Sequence, residues 1–360
     1  MDKHVPVSMV MLIHSRPRRY SALNGFLQAD MYTRILAELL KSRLISRAEL
    51  CIRCDRQGET TYQGITVHLV TDYSAINIKP ADILFVRGDR KDSLAFLRSC
   101  PVRRMILYGA STRAIPRHWK KYHGILVDDI SHKSIVHLYY PGTYVGEFIK
   151  TAQPEVFFPI ESIEKQFDIC TVTNMSSPKK SFSDLFEVMK RFPDLHFVVC
   201  GRVNPDIAEQ LKSLPCMVTC TGFVERTELN RIFNRSRLAL LPSGRFDASP
   251  RVILEFMAAG TPILANIELC GAKKFLVPGA GKMAQLSDFV MVIKDMLKQT
   301  EYDPRAVFEE YFTPSKAAQD FAGHIYAVNR MPDTPPVPSW RGRLAGITYP
   351  RVDKHTFNGN

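Results

Sequence analysis

The chain has no apolar run approaching the roughly 18–20 residues that a membrane-crossing helix needs, so nothing in it reads as a helical span. The apolar stretch from Val5 to Ile13 is interrupted by Pro6. Arg16, Arg18 and Arg19 follow it without a small-residue cleavage site, which reads as a first buried strand rather than a signal peptide. Paired cysteine motifs are missing as well. Cys51-Ile52-Arg53-Cys54 has metal or redox spacing, but no second pair lies nearby and the segment alternates as a strand does, which argues against zinc. Cys170, Cys200, Cys216 and Cys220 fall in or beside apolar strands and are expected to be small buried hydrophobes. The eight scattered thiols fit a reducing, cytoplasmic compartment. No acidic pair carries metal-ligand spacing, so no metal is expected. Acids are scarce overall: 36 Asp and Glu against 48 Lys and Arg give a formal charge of +12.

The excess base is clustered at Arg16/Arg18/Arg19, Arg103/Arg104, Lys120/Lys121 and Lys179/Lys180. A solvated face and a surface that docks peripherally on anionic membrane, at the inner surface of a cell, both account for such clusters. Nucleic-acid binding is disfavoured, because no recognised binding motif accompanies the charge. At 360 residues and 45% apolar composition, the chain has material for about two domains with separate cores.

Strands and helices alternate along it. Strands are expected over 7–14, 50–53, 65–70, 82–87, 104–108 and 125–128, with helices over 28–41 and 93–98. Residues 15–25 read as a basic loop carrying Asn24-Gly25. This alternation predicts an α/β fold, a parallel sheet with helices on both faces, whose ligands sit at the carboxyl ends of the strands. Near 150–165 the pattern restarts: Val156-Phe157-Phe158-Pro159 and the charged stretch after it read as a linker. Strands follow at 168–173, 196–200, 217–221, 238–241 and 263–265. Helices alternate with them, and Thr313-Pro314-Ser315 caps the last one, to about 330. Pro332, Pro335, Pro336 and Pro338 make 331–360 an extended Pro-rich tail.

The chain is organised around residues 242–262. Leu238 to Leu241 runs into a turn, Ser249 is expected to cap a helix with Pro250 in its first position, and Gly260-Thr261-Pro262 ends it. Asp247 stands before this helix and Glu255 within it, eight positions apart. Side chains lean toward a helix N-terminus, so Glu255 is expected to point toward the mouth where Asp247 sits. That mouth offers unpaired N–H groups and the positive dipole end, suited to a phosphate. A capped surface helix with incidental acids has the same spacing, and spacing alone does not separate the two.

This stretch resembles the donor signature of retaining glycosyltransferases of the two-Rossmann, B-type fold, the group 1 family: an acid, seven residues, then Glu, an apolar helix and Gly-Thr-Pro. Here it reads Asp247 to Glu255, Phe256-Met257-Ala258-Ala259 and Gly260-Thr261-Pro262. It departs from the family in having Asp for the first Glu and Ala248-Ser249-Pro250 for Gly-Phe-Gly. The resemblance implies an acceptor domain over 1–158, a nucleotide-sugar donor domain over 159–330 and a cleft between them. It implies Asp247 as the catalytic acid on the sugar, and Glu255 on the ribose. Lys180, Arg251 and Ser249 would lie near the diphosphate, with Ser243 close by. Gly201, Arg202, Phe223 and Val224 fall in loops that face the nucleotide, Phe223 and Val224 against the base, and Gly201 and Gly222 allow close backbone approach. The family's phosphate-binding Arg falls on Met175, with Lys179, Asn174 or Arg251 as substitutes, and its mid-domain His is replaced around Tyr108-Gly109-Ala110-Ser111. His118, Asn24 and Gly25 remain as acceptor-side candidates. The resemblance implies no cofactor and no divalent ion. The donor would be a nucleoside-diphosphate sugar and the acceptor a glycan, a lipid-linked sugar or another small molecule. A sugar-nucleotide epimerase or hydrolase on the same architecture, or a non-catalytic binding relative, fits the same residues.

Overall fold

The computed structural model of the chain describes residues 7–13, 23–73, 76–88, 93–109, 122–173, 182–242 and 249–333. The first half runs β1 (Val7–Ile13), α1 (Leu23–Ala29), α2 (Met31–Lys41), β2 (Ile45–Arg53), β3 (Gly58–Tyr62), β4 (Ile65–Val70), β5 (Ala81–Arg87), α3 (Leu94–Ser99), β6 (Val102–Gly109), β7 (Gly124–Val127), α4 (Lys133–Tyr139) and β8 (Tyr144–Glu147). Its eight strands form one sheet in the order β3-β4-β2-β1-β5-β6-β7-β8, parallel except for β3. The second half runs β9 (Phe167–Val172), α5 (Phe182–Lys190), β10 (His196–Cys200), α6 (Pro205–Lys212), β11 (Met217–Gly222), α7 (Arg226–Asn234), β12 (Ser236–Leu241), α8 (Val252–Ala258), β13 (Ile263–Asn266), β14 (Gly281–Ala284), α9 (Phe289–Met296), α10 (Pro304–Tyr311) and α11 (Pro314–Asn329). Its six strands are all parallel, in the order β11-β10-β9-β12-β13-β14. These are two Rossmann-like halves, as the alternating pattern and its restart near 150 predict.

Each central strand feeds two cores. Met9, Met11 and Ile13 of β1 join one buried cluster and Val10 and Leu12 another, because alternate side chains leave a strand on opposite faces. A sheet covered on both faces therefore reads as a continuous apolar run, as VSMVMLI does. The second sheet repeats this: Cys170 faces one cluster and Ile169 the other.

Several boundaries differ from expectation, each for a local reason. The helix expected over 28–41 is two helices, because the Asp30 carboxylate accepts from Thr33 N at 2.9 Å and opens α2 afresh. Asn24-Gly25 lies inside α1 rather than in a loop. Leu23, Phe26 and Leu27 recur at helical spacing and pack on the first core, so the segment coils. β3, a strand too polar to be read from periodicity, pairs antiparallel with β4. Gln63 (φ 49°) and Gly64 (φ 80°) make the two-residue turn between them with both residues left-handed. Cys220 is exposed, since β11 is an edge strand, while Cys170, Cys200 and Cys216 are buried. The last helix behaves as expected at its start, with Thr313 Oγ1 accepting from Lys316 N. Its packing was not legible: α11 returns to the first half and lies on α2, sealing Phe321, Ile325 and Val328 into the first core.

Arg104 is also placed differently from a solvated or lipid-facing cluster. It is buried and donates to Met331 O and the Asp333 carboxylate, and His123 meets Asp333 O at 3.0 Å. The chain beyond α11 is thus tied back onto β6. Residues 334–360, most of the expected tail, lie outside the described residues.

Gly201, expected to permit close approach, does so: at φ 122° an added Cβ would sit 1.9 Å from Thr173 O. Gly222 is left-handed (φ 67°) but has open space around it, so its glycine answers to conformation alone. Replacing Gly201 by Ala must push β9 and β10 apart. We expect the loss of about 2–4 kcal/mol of stability, read from urea unfolding, with Gly222→Ala costing about 1–2 kcal/mol.

Candidate active site

The two sheets present their strand carboxyl ends to a common cleft, where loops carry function in open parallel sheets. From the first half, β5 ends in Arg87, β6 carries Tyr108, Asp128 follows β7, and Glu147, Phe148 and Lys150 come from the end of β8 and the crossover after it. From the second half come Gly201, Gly222 and the start of α8. The cleft between them is lined by Ala29, Met31 and Arg34, by Thr151, Ala152 and Gln153 of the crossover, and by Arg226, Arg251 and Glu255.

Glu255 is in the first turn of α8 and is buried at 8% exposure. Its Oε1 lies 3.1 Å from Arg251 Nε, an i,i+4 pair. The structure therefore brings together two of the predicted residues in one cleft wall. Ser249 is nearby but does not cap the helix. The regular helix starts only at Val252, and tight bonds from Ile253 N to Pro250 O (3.3 Å) and Leu254 N to Arg251 O (3.0 Å) close the opening turn instead. The Ser249 hydroxyl is buried without a hydrogen-bond partner, while its carbonyl is taken by Lys150 Nζ at 2.7 Å.

Gly201 N donates to Gly222 O at 2.8 Å, which binds the ends of β10 and β11 side by side. Beyond them Arg202 is exposed, Phe223 is 77% exposed, and Val224 packs against the second core. Gly25 is exposed on α1. Asp247, Lys180, Ser243, Asn174 and His118 lie outside the described residues, as do Met175 and Lys179; Asn24 is helical, but its side chain is not among those described.

The seam between the two halves also holds a charged group that spacing did not announce. Asp128 is buried; its Oδ1 accepts from Tyr108 OH at 2.6 Å and lies 3.1 Å from Lys150 Nζ. Tyr108 is held by ring contacts, 4.6 Å to Phe148 and 6.2 Å to Phe85, and Phe321 of α11 closes that aromatic cluster edge-on. Lys274, from the second half, donates to Asp128 O at 2.6 Å and Phe148 O at 3.0 Å, and its ammonium is 3.6 Å from Glu147. Arg87 stacks over the Tyr32 ring at 4.8 Å. Burial drives the shifts here. It pushes the Lys150 and Lys274 ammoniums down against the pull of Asp128 and Glu147, and it raises the Asp30 and Glu147 carboxyls and the Tyr108 phenol. Nothing in the sequence marks these residues as a set, because they come from five separate strand ends and loops. The one local signal is position: Arg87, Tyr108, Asp128 and Glu147 stand at or next to the carboxyl end of a strand.

Residues 152–307 match the sequence model of the family described as glycosyl transferases group 1. Among curated proteins none matches the sequence significantly. Solved structures share the fold. Sucrose-phosphate synthase from Thermosynechococcus elongatus superposes with a TM-score of 0.62 at 13% identity, covering 89% of this chain and 98% of its own. The Anabaena protein HepE, crystallised with UDP and glucose, gives 0.62 at 12% identity over 89% of this chain and 100% of its own. A glycosyltransferase of Rickettsia africae gives 0.63 at 12% identity, over 91% and 100%. At such identities these likenesses speak for the architecture alone, whereas the family match speaks for the second half and the α8 segment within it. Residues 152–307 thus carry the sequence pattern of the glycosyl transferases group 1 family, on an architecture shared with these solved structures.

Proposed function

We propose that the chain moves a sugar from a nucleoside-diphosphate sugar to an acceptor with retention of anomeric configuration, using no metal ion or other cofactor. The observation that carries this is the Arg251–Glu255 pair in the cleft wall, within the family-matched segment. Glu255 is a buried carboxylate suited to a ribose diol. Arg251 stands one turn before Glu255, and its planar guanidinium matches the geometry of a diphosphate beside the ribose. Asp247 and Lys180 complete the seat by resemblance: Asp247 on the sugar, where positive charge develops at the anomeric carbon, and Lys180 on the departing diphosphate. Ser243, Asn174, Gly201, Arg202, Phe223 and Val224 would border the nucleotide. Fixed cations facing the leaving group stabilise it without reorganisation, the role a divalent ion otherwise fills. Ser249 contributes its position rather than a cap.

The acceptor would enter from the 1–158 half, and the donor would rest on the 159–330 half, whose last helix lies across the acceptor half. Closing the cleft excludes water, and hydrolysis is the reaction that competes with transfer. Seven free thiols among the described residues agree with a reducing, cytoplasmic setting. No helix among the described residues is long and apolar enough to cross a membrane. A peripheral contact with anionic lipid, and with it a lipid-linked acceptor, would use the clusters at 16–19, 120–121 and 179–180, because Arg104 is engaged inside.

A thermal-shift screen with UDP, GDP and ADP and their glucose or mannose conjugates identifies the donor, starting from UDP-glucose, the ligand that HepE crystals contain. Glu255→Ala is expected to weaken binding of the best nucleoside diphosphate about ten- to a hundredfold in calorimetry, the worth of lost hydrogen bonds to a charged group. An unchanged affinity would remove Glu255 from the donor seat. Asp247→Ala is expected to lower transfer by at least about a hundredfold with the melting temperature unchanged; full activity would overturn its assignment. Proton NMR of the product should show the donor's anomeric configuration, and transfer should survive EDTA. Inversion, or loss of rate restored by Mg²⁺, would refute those parts of the reading.

A further inference from the structure

At the carboxyl end of the first sheet one cation stands without an acid. Arg87 closes β5, in register beside Tyr108, and Gly88 N donates to Tyr108 O at 3.0 Å. The half-buried Arg87 guanidinium lies over the Tyr32 ring at 4.8 Å. That ring is set in the aromatic cluster, stacked on Phe148 at 5.8 Å and 6.2 Å from both Phe85 and Tyr108. Tyr32 is 3% exposed and follows Met31, which lines the cleft. Among the described residues, neither the Arg87 guanidinium nor the Tyr32 hydroxyl makes a hydrogen bond or an ion pair. The acids around them are engaged elsewhere. Asp30 caps α2, accepting from Thr33 N at 2.9 Å and Thr33 Oγ1 at 3.2 Å, and Asp128 is held by Tyr108 and Lys150. Cations crowd this place from both halves. Lys150 feels Arg87 and Arg251 as like charges, and the Tyr32 hydroxyl lies in the field of the same two arginines. Burial raises the Tyr32 phenol, so it keeps its proton and remains a donor.

A guanidinium presents five N–H donors in a planar fork and accepts nothing. Stacked flat on an aromatic ring, it keeps the edge of that fork for hydrogen bonds. The fork matches a phosphate or a carboxylate in a bidentate pair. A neutral sugar hydroxyl leaves the repulsion among Arg87, Lys150 and Arg251 as it is, whereas an oxyanion relieves it. We propose that Arg87 and Tyr32 seat an oxyanion of the acceptor, the guanidinium in a bidentate pair and the phenol as a further donor. The acceptor is then a sugar bearing a phosphate or a carboxylate, not a neutral glycan. The inference rests on reading 1–158 as the acceptor half. It gives each half its own anion: the acceptor's oxyanion on Arg87 in the first, and the donor's diphosphate on Arg251 and Lys180 in the second.

The test uses the full chain and its variants Arg87→Gln, Arg87→Lys and Tyr32→Phe. Each is titrated in a calorimeter, at constant ionic strength, with glucose, glucuronate, glucose 6-phosphate and inorganic phosphate. A parallel titration uses whichever of UDP, GDP and ADP stabilises the wild type most. The wild type should bind glucuronate or glucose 6-phosphate with a Kd of about 1 mM or tighter, and glucose at least about tenfold more weakly. Which of the two binds separates a carboxylate from a phosphate, and inorganic phosphate should compete with it. Arg87→Gln should weaken the sugar oxyanion about tenfold to a hundredfold, the worth of hydrogen bonds to a charged group, and Tyr32→Phe about threefold to tenfold. Arg87→Lys should recover only part of the loss, because a point charge lacks the fork. Nucleoside-diphosphate affinity should stay within about threefold in all three variants. The inference is overturned if neither sugar oxyanion binds, if glucose binds as well as they do, or if Arg87→Gln and Tyr32→Phe leave their affinity unchanged. An equal loss of diphosphate affinity in Arg87→Gln also overturns it, since Arg87 then serves the donor. If the wild type binds no nucleoside diphosphate while oxyanion binding depends on Arg87 as expected, the donor reading falls and the oxyanion seat stands.

Discussion

The structure depends on placing like-charged ammonium groups where water is scarce. Lys150 and Lys274 sit within the seam between two parallel sheets, and each is neutralised from the half it touches or comes from. An unpaired buried ammonium is costly enough to lose its proton. Asp128 and Glu147 oppose that loss, and the main-chain carbonyls of Ser249, Asp128 and Phe148 accept further N–H bonds. The halves are thereby registered by directional bonds rather than by apolar area alone. Apolar contact tolerates sliding, but a lysine between a carboxylate and a specific carbonyl does not.

The same economy of charge explains the cleft wall. Glu255 is nearly buried yet has Arg251 one turn earlier as its partner, so the helix carries a carboxylate and a guanidinium in one fixed pair. On the reading proposed above, a bound nucleotide would share this pair, its phosphates facing the guanidinium and its ribose the carboxylate. The aromatic cluster under Tyr108 does comparable work on the other side: Phe85, Phe148 and Phe321 hold the ring so that its hydroxyl meets Asp128.

Much of this was legible because parallel sheets write themselves into sequence. Buried strands such as VSMVMLI and HFVVC are continuous apolar runs, and glycine follows Cys200 where two strand ends crowd together. Where an element depended on partners instead of pattern, reading failed. The polar strand at 58–62 exists because 65–70 pairs with it. The helix expected across Asp30 breaks because a carboxylate competes for a backbone N–H, a local bond that periodicity does not register. Ser249 looked like a helix cap, the commonest role for serine before proline, but its carbonyl was claimed by a lysine 99 residues away.

The sequence by itself determined the two-sheet α/β architecture, the restart near residue 150 and the place of Glu255 on a short helix after a buried strand. Those properties follow from short-range periodicity and capping, which act within a dozen residues. Only the tertiary structure decided that the last helix crosses back to the first half, that Arg104 is enclosed with residues 331–333, and that Tyr108, Asp128, Lys150 and Lys274 form one charged seam. Those outcomes depend on where strand ends and loops far apart in sequence come to rest. Electrostatic pairing in a buried place is a property of that arrangement and not of any segment alone.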